Sequence, residues 1–478
     1  MAAAQVLGHA RAKPGVVATA LPQTDPDELD QLRDFDEDES CTTPTSSRSC
    51  GSCITRKALA ATALFCLGAA ALLASWYGLA QGRVQAGRRQ DEAREDFSAW
   101  HTVFLVGASA KTGAVCLDGS PPAYYMRPGE GLGAEKWMLH LQGGGWCTSL
   151  EKCGERAAWD LGTSLNASSR HAKERVLGAA DGGVHGLLSS SKLVNPDFYD
   201  WTKVFVRYCD GASFSGDVDR PVPTGQGGDM VYFRGKRILD AVLDDLLWRQ
   251  GMAGGSALIV KGCSAGGLAV LLHLDYIVAH VPPTLVVRGL PECGLFLDLP
   301  THSGKELWTR QYREVAQMQN VAALSGNLNA ECLASYAEDR WRCFMAQHSL
   351  PHIRTPFFAI NSVYDRWFVS NLLNVSKACW KQGQCSTSEA KAMEEMRLAM
   401  ISNLTTNSRA LGSGFFLYNC MTHCGQINRD RQWNALSDGN QTLRQAFSAW
   451  YWRGEQVHSL GAAGKGPNME ATCAGAKA

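Results

Sequence analysis

Residues 257–281, ALIVKGCSAGGLAVLLHLDYIVAHV, decide the fold. Ala257 to Lys261 has strand character and runs into Gly262-Cys263-Ser264-Ala265-Gly266; an apolar, helix-compatible run follows from Leu268 to Val281. Strand, G-x-S-x-G, helix is the order of a nucleophile elbow, in which glycines permit close chain approach and the tight turn lifts the serine hydroxyl to the carboxyl end of a sheet. The five-residue pattern alone also fits an ordinary glycine-rich turn. Its place between strand and helix singles out Ser264 as a nucleophile.

Outward from this stretch, residues 97–460 alternate apolar runs of strand length with helical stretches, the rhythm of an α/β fold with a mostly parallel sheet. The clearest strands are Lys136 to Leu141, Lys203 to Cys209, Ala257 to Lys261, Leu285 to Arg288, Phe357 to Asn361 and Phe415 to Tyr418. Phe233 to Arg249 places Ile238, Val242 and Leu246, with Leu239 and Leu243, at helical spacing. The reading is one catalytic domain of α/β-hydrolase type with flanking helices.

A serine hydroxyl needs a base to take its proton, and that imidazole needs an orienting carboxylate. In α/β-hydrolase chain order the acid and then the histidine follow the nucleophile. Asp365 stands just beyond the strand-like Phe357 to Asn361, although Asp298 and Asp339 are alternatives. Only His423 and His458 come later. His423, inside Cys420-Met-Thr-His423-Cys424, is preferred, since a nearby disulfide would restrain it, whereas His458 sits in a polar, glycine-rich tail. His273 and His280 precede every candidate acid and read as polar faces of the helix after Ser264. The tetrahedral oxyanion formed on attack needs backbone donors. Lys136 to Leu141 leads through Gln142 into Gly143, Gly144 and Gly145, an HGGG-like place for them. Gly144 and Gly145 with the Ala265 N–H are the expected oxyanion hole. No Gly-Lys-Ser/Thr follows, which disfavours a phosphate cradle.

The 46 basic residues balance the 46 acidic ones and no basic stripe or nucleic-acid motif occurs, so nucleic acid is not an expected partner. With 45% hydrophobic and 19% charged residues the chain as a whole is not a disordered one. Of 17 cysteines, 13 follow residue 100, with close pairs at Cys147 and Cys153, Cys332 and Cys343, Cys379 and Cys385, and Cys420 and Cys424. That density implies disulfides in an oxidising compartment. No CxxC pair faces another at zinc spacing, so no metal is expected. Thirteen is odd; Cys263 and Cys473 are the candidates for an unpaired thiol.

From Ala58 to Ala80 the chain carries no charge, enough at about 1.5 Å per residue to cross roughly 30 Å of hydrocarbon. Arg56 and Lys57 precede it and Arg83, Arg88 and Arg89 follow. The expectation is a disordered, acidic cytoplasmic tail over 1–57, a transmembrane signal anchor over 58–80, a stem over 81–96, the catalytic domain over 97–460 and a flexible tail over 461–478. Cys41, Cys50 and Cys53 are candidates for palmitoylation. Glycosylation sequons at Asn166, Asn374, Asn403 and Asn440 all follow the span and support the cysteine argument; together they put the catalytic domain in the lumen or outside the cell as a type II membrane protein.

HLQGGGWC (140–147), NPDFYDWTKVFVRYCDGASFSGD (195–217), YFRGKRI (232–238), GCSAGG (262–267), NSVYDRW (361–367) and NCMTHCGQ (419–426) together resemble the pectin acetylesterase family, whose animal relatives include the Notum carboxylesterases. The resemblance implies an α/β-hydrolase fold and a serine esterase with Ser264, Asp365 and His423 as triad, Gly144, Gly145 and Ala265 as oxyanion donors, no metal or organic cofactor, and acetylated polysaccharide (pectin) as substrate. Two departures bear on the pocket: Gln142 stands where the family usually has Glu, and Pro291-Glu292-Cys293-Gly294 where it usually reads Ala-Asp-x-Gly. The rival readings are removal of a fatty acyl group from a protein, as the animal relatives do, and a catalytically silent membrane-anchored carbohydrate-binding module.

Overall fold

The computed structural model describes residues 96–460, apart from 180–182, 226–228 and 324–326, together with Pro467. The expected cytoplasmic tail with its three cysteines, the span over 58–80, nearly all of the stem, Cys473 and most of the C-terminal tail lie outside the described residues. Among the described residues no helix is long and apolar enough to cross a membrane.

Nine strands form one sheet: β1 His101–Phe104, β2 Ala123–Arg127, β3 Lys136–Leu141, β4 Thr202–Val206, β5 Ala257–Cys263, β6 Val286–Glu292, β7 Phe358–Ser362, β8 Gly414–Tyr418 and β9 His458–Ser459. Their spatial order is β1-β2-β4-β3-β5-β6-β7-β8-β9. β2 runs antiparallel to both neighbours and every other pairing is parallel. The central strands are nearly continuous apolar runs because both faces are covered. Leu139, Val204, Val260, Val287, Ala359 and Leu417 point into one core, while Met138, Phe205, Ile259, Leu290, Ile360 and Phe416 point into the other. That period of two assigns successive residues to opposite faces.

The first core is closed by α2 (Gly235–Trp248), α3 (Ala265–His280) and α4 (Leu307–Met318), while α1 (Leu150–Ala157) packs through Cys153 in a separate small cluster with Leu117, Val231 and Phe233. The second is closed by α5 (Asp430–Ala435) and α6 (Leu443–Arg453) through Trp433, Leu443, Phe447 and Trp450. α6 begins with a reciprocal capping box of Thr442 and Gln445 and stops at Gly454 in the left-handed conformation.

Two sequence expectations need correction. β1 and β2 are not among the strands the apolar runs pick out: β1 is a partly exposed edge strand, and β2, though its Ala123, Tyr124 and Tyr125 are buried, is only five residues long and ends on Arg127. His273 is no polar face: α3 is buried almost all round, and His273 is enclosed with its Nε2 2.9 Å from Ser215 Oγ and 3.2 Å from the Ser213 carbonyl. Burial lowers its pKa to about 4, so it is neutral. His280 does lie at the exposed end of α3, beside the Tyr276 carbonyl.

Five disulfides join Cys116 to Cys209, Cys147 to Cys153, Cys263 to Cys424, Cys332 to Cys343 and Cys379 to Cys385. Three of the close sequence pairs are therefore bonded, but Cys424 crosses the sheet to Cys263, and Cys420 is disulfide-bonded elsewhere. Cys263 is thus not a free thiol; among the described residues Cys293 is, and it is buried. Among the sequons, Asn166, Asn374 and Asn440 are exposed, whereas Asn403 is buried and donates its amide to the Ala399 carbonyl.

Candidate active site

Ser264 stands between β5 and α3 with φ +57° and ψ −124°, a conformation an L residue holds only under local strain. The glycines around it are required by close approach. A Cβ on Gly262 would meet the Gly266 carbonyl oxygen at 2.2 Å, and one on Gly266 would meet the Leu141 carbonyl oxygen at 2.0 Å. The Ser264 N–H donates to the Glu292 carbonyl at 3.0 Å, tying the turn to β6.

Asp365 follows β7 and His423 follows β8, neighbouring strands whose carboxyl ends deliver both to the same rim. His423 Nε2 lies 2.8 Å from Ser264 Oγ, and Nδ1 lies 2.8 Å from each carboxylate oxygen of Asp365. Asp365 is fully buried, and its Oδ1 also accepts the N–H groups of Trp367 and Phe368 at 2.9 and 3.2 Å. A carboxylate held this way fixes the tautomer with the proton on Nδ1 and leaves Nε2 free to accept from the serine. The alternatives go elsewhere. Asp298 is engaged by Thr309, Arg342 and His348, Asp339 accepts from the Trp341 indole, and His458 stacks on Phe415 at the sheet edge.

The glycine run after β3 lies against Ser264: a Cβ on Gly143 would come within 3.2 Å of Ser264 Cβ. The carbonyls of the next two residues are both taken up from behind. Arg156 of α1 donates to Gly144 O at 2.8 Å and the Tyr208 hydroxyl donates to Gly145 O at 2.8 Å. Fixing a carbonyl fixes its peptide plane, and with it the direction of the neighbouring N–H. Gln142 turns its side-chain oxygen to the Tyr208 N–H at 3.0 Å, so at this departure from the family pattern the side chain braces the loop. Sequence reasoning passed over Arg156 and Tyr208; Tyr208 lies inside the RYCDG stretch, but nothing local announces its contact with Gly145.

The second departure is also clear in the fold. Glu292 does not line a pocket; it is fully buried on the second-core side of the sheet. Beside His423 stands a cluster of Trp146, Phe296, Trp308, Tyr312, Trp367 and Phe368. Ring centroids are 4.8 Å apart for Trp146 and Phe296, 5.0 Å for Trp146 and Tyr312, and 4.8 Å for Trp308 and Trp367. Trp367 and Phe368 reach the His423 ring at 6.0 and 6.2 Å.

Cys293, His423 and Cys424 offer atoms within 4.8 Å of one another, the spacing of a metal site. Their chemistry is wrong for it: Cys424 is in a disulfide and both nitrogens of His423 are engaged by Asp365 and Ser264. Burial holds the Cys293 thiol well above its ordinary pKa.

The family model described as Pectinacetylesterase matches residues 95–473. The chain belongs to the pectinacetylesterase family. Pectin acetylesterase 5 of Arabidopsis thaliana is 33% identical over 365 residues, covering 74% of this chain and 81% of that one. A palmitoleoyl-protein carboxylesterase Notum from Schmidtea mediterranea is 28% identical over 357 residues, 72% of this chain and 62% of that one. Among solved structures, the Wnt deacylase Notum from Drosophila superposes with a TM-score of 0.62 at 25% identity, covering 76% of this chain and 97% of that one. The chain is accordingly a carboxylic ester hydrolase with the α/β-hydrolase fold, and the disulfides among its described residues fit an oxidising compartment.

Proposed function

We propose that the protein is a serine esterase that removes acetyl groups from the sugar hydroxyls of pectin. The observation that carries this reading is the continuous relay from Ser264 Oγ through His423 to Asp365, each link at 2.8 Å, with the glycine run against the serine. In this mechanism His423, oriented by Asp365, takes the Ser264 proton as Oγ attacks the acetyl carbonyl. The N–H groups of Gly144, Gly145 and Ala265 stabilise the tetrahedral oxyanion. Collapse expels the sugar oxygen, which receives the proton from His423, and water, activated by the same imidazole, then releases acetate from the acyl-serine. No step calls on a metal or an organic cofactor.

The acetyl preference is supported by the family match and by relatives that are pectin acetylesterases. Six large rings packed at 4.7–6.4 Å centroid spacings beside His423 offer the acyl group an apolar wall. Replacing Ser264 by Ala should cut turnover of p-nitrophenyl acetate by about 10⁴-fold or more with the fold intact, and retained turnover would sink the assignment. A chain-length series of p-nitrophenyl esters should favour acetyl; a maximum at longer chains would favour deacylation of a lipidated protein instead. The same reading places residues 58–80 as a membrane anchor and the esterase domain in the lumen or outside the cell. Glycosidase-sensitive mass on the full chain, lost when Asn166, Asn374 and Asn440 are changed to Gln, tests that orientation.

A further inference from the structure

Behind the relay, on the second-core face, three adjacent strands carry ionisable side chains that the hydrolysis does not use: His140 on β3, Lys261 on β5 and Glu292 on β6, each fully buried. Glu292 Oε1 accepts the N–H of Gln426 at 2.7 Å and that of Ile427 at 3.3 Å, and Lys261 Nζ donates to Asn428 Oδ1. The pair therefore grips three consecutive residues that begin three positions after His423. The same segment is tied at Cys424 to Cys263 and at the Ile427 carbonyl to the Leu187 N–H. Buried charged side chains are a poor source of stability, since well-packed apolar side chains serve a core as well. What apolar side chains cannot do is accept two backbone N–H groups and set a negative charge behind the imidazole. Glu292 is joined to His423 by the short run of backbone from His423 to Gln426.

We propose that Glu292, with Lys261 as its counter-charge, is a positioning residue of the hydrolysis: it fixes the segment that carries His423 and supplies, beyond Asp365, a second negative charge favouring the imidazolium formed when Ser264 gives up its proton. This rests on the serine-esterase reading above. Burial pushes both members of the pair toward neutrality, Lys261 down to about 7, while their mutual attraction and the two N–H donors on Glu292 favour the ionised form. The other ionisable groups packed around them are His140, Cys293, Tyr418, Asp365 and His423. Burial and the neighbouring Lys261 keep His140 neutral, and burial keeps the Cys293 thiol and the Tyr418 phenol protonated. The Asp365 contacts to His423 do not involve the pair.

The test uses Glu292→Gln in the full chain, an isostere that keeps one acceptor oxygen and loses the charge. With p-nitrophenyl acetate, kcat should fall about ten-fold with KM held within about two-fold. The acidic limb of kcat/KM should move to lower pH by about half a unit, because the imidazolium has lost a favourable charge. Glu292→Asp, which keeps the charge, should return the limb most of the way. An acidic limb that stays at the wild-type position in Glu292→Gln overturns the proposal, whatever kcat does. Should that variant fail to fold, Lys261→Met with Glu292→Gln makes the pair neutral and is judged by the same limb. Labelling of wild-type Ser264 by a fluorophosphonate separates the two hypotheses. Without labelling the esterase reading fails, and with labelling but no shift only the role of Glu292 fails.

Discussion

Ser264 is delivered by a turn between one strand and the helix that follows it, and the glycines that make the turn possible lie two positions to either side of it. His423 is delivered by the loop after β8, which is held by a disulfide from β5, a carboxylate from β6, a lysine from β5 and a backbone bond from residue 187. One member of the relay is thus placed by local backbone geometry and the other by restraints from distant parts of the chain. Strain in a five-residue turn is an intrinsic property of that turn, whereas a long loop must have its conformational entropy removed by others. Mutations near the two should fail differently: the elbow by collapse of packing, the loop by loss of alignment.

The comparison breaks hardest at the carboxylate. Asp365→Asn should leave the fold unchanged but allow the wrong tautomer of His423, lowering kcat by about 10³–10⁴-fold, measurable with p-nitrophenyl acetate. Removing the cross-link with Cys263→Ala and Cys424→Ala should cost about 2–4 kcal/mol in a denaturant melt. It should lower kcat more than Cys379→Ala with Cys385→Ala, whose disulfide lies away from the relay. Equal effects of the two pairs on kcat would erase the distinction drawn here. On the oxyanion side, Tyr208→Phe removes the donor to Gly145 O and the acceptor for the Ser213 N–H. A roughly ten-fold fall in kcat at near-constant KM is expected, since donors aimed at the oxyanion act mainly in the transition state.

The smallest effect provides the control. The Glu389 carboxylate accepts the N–H groups of Ser376 and Ser386 at 2.8 Å each, and these bonds, with the hydroxyl of Ser386, hold its pKa down to about 2. The folded pKa lies below the unfolded one, so the stabilisation is complete above about pH 4.5 and is lost as pH falls from there toward 2. Glu389→Gln should cost about 1 kcal/mol at pH 7, less at pH 3, and leave kcat unchanged. Melts at the two pH values check it.

Much of this was legible beforehand where the signal is local. The elbow, the six central strands and the helix at Gly235–Trp248 announce themselves through glycine spacing and periodicity. Asp365 and His423 were reachable through chain order and strand ends. The pairing of Cys263 with Cys424 was not, because sequence proximity suggested Cys420, and proximity along a chain does not decide which cysteines face one another across a sheet. Glu292 read as a pocket residue because its neighbours on β6 lead toward the active rim. Strand parity instead turns it onto the opposite face.

The sequence by itself determined a strand-turn-helix elbow around Ser264, an α/β alternation and a cysteine density that fits disulfides, since each depends on residues a few positions apart or on composition. Only the tertiary structure decided which acid and which histidine meet Ser264, which side chains pin the glycine loop and which buried charges stand behind the base. Apart from Arg156 with Gly144, 12 positions apart, those contacts join residues separated by 58 to 167 positions. Such pairs come together only when the sheet order and register have been set, and no local preference encodes them.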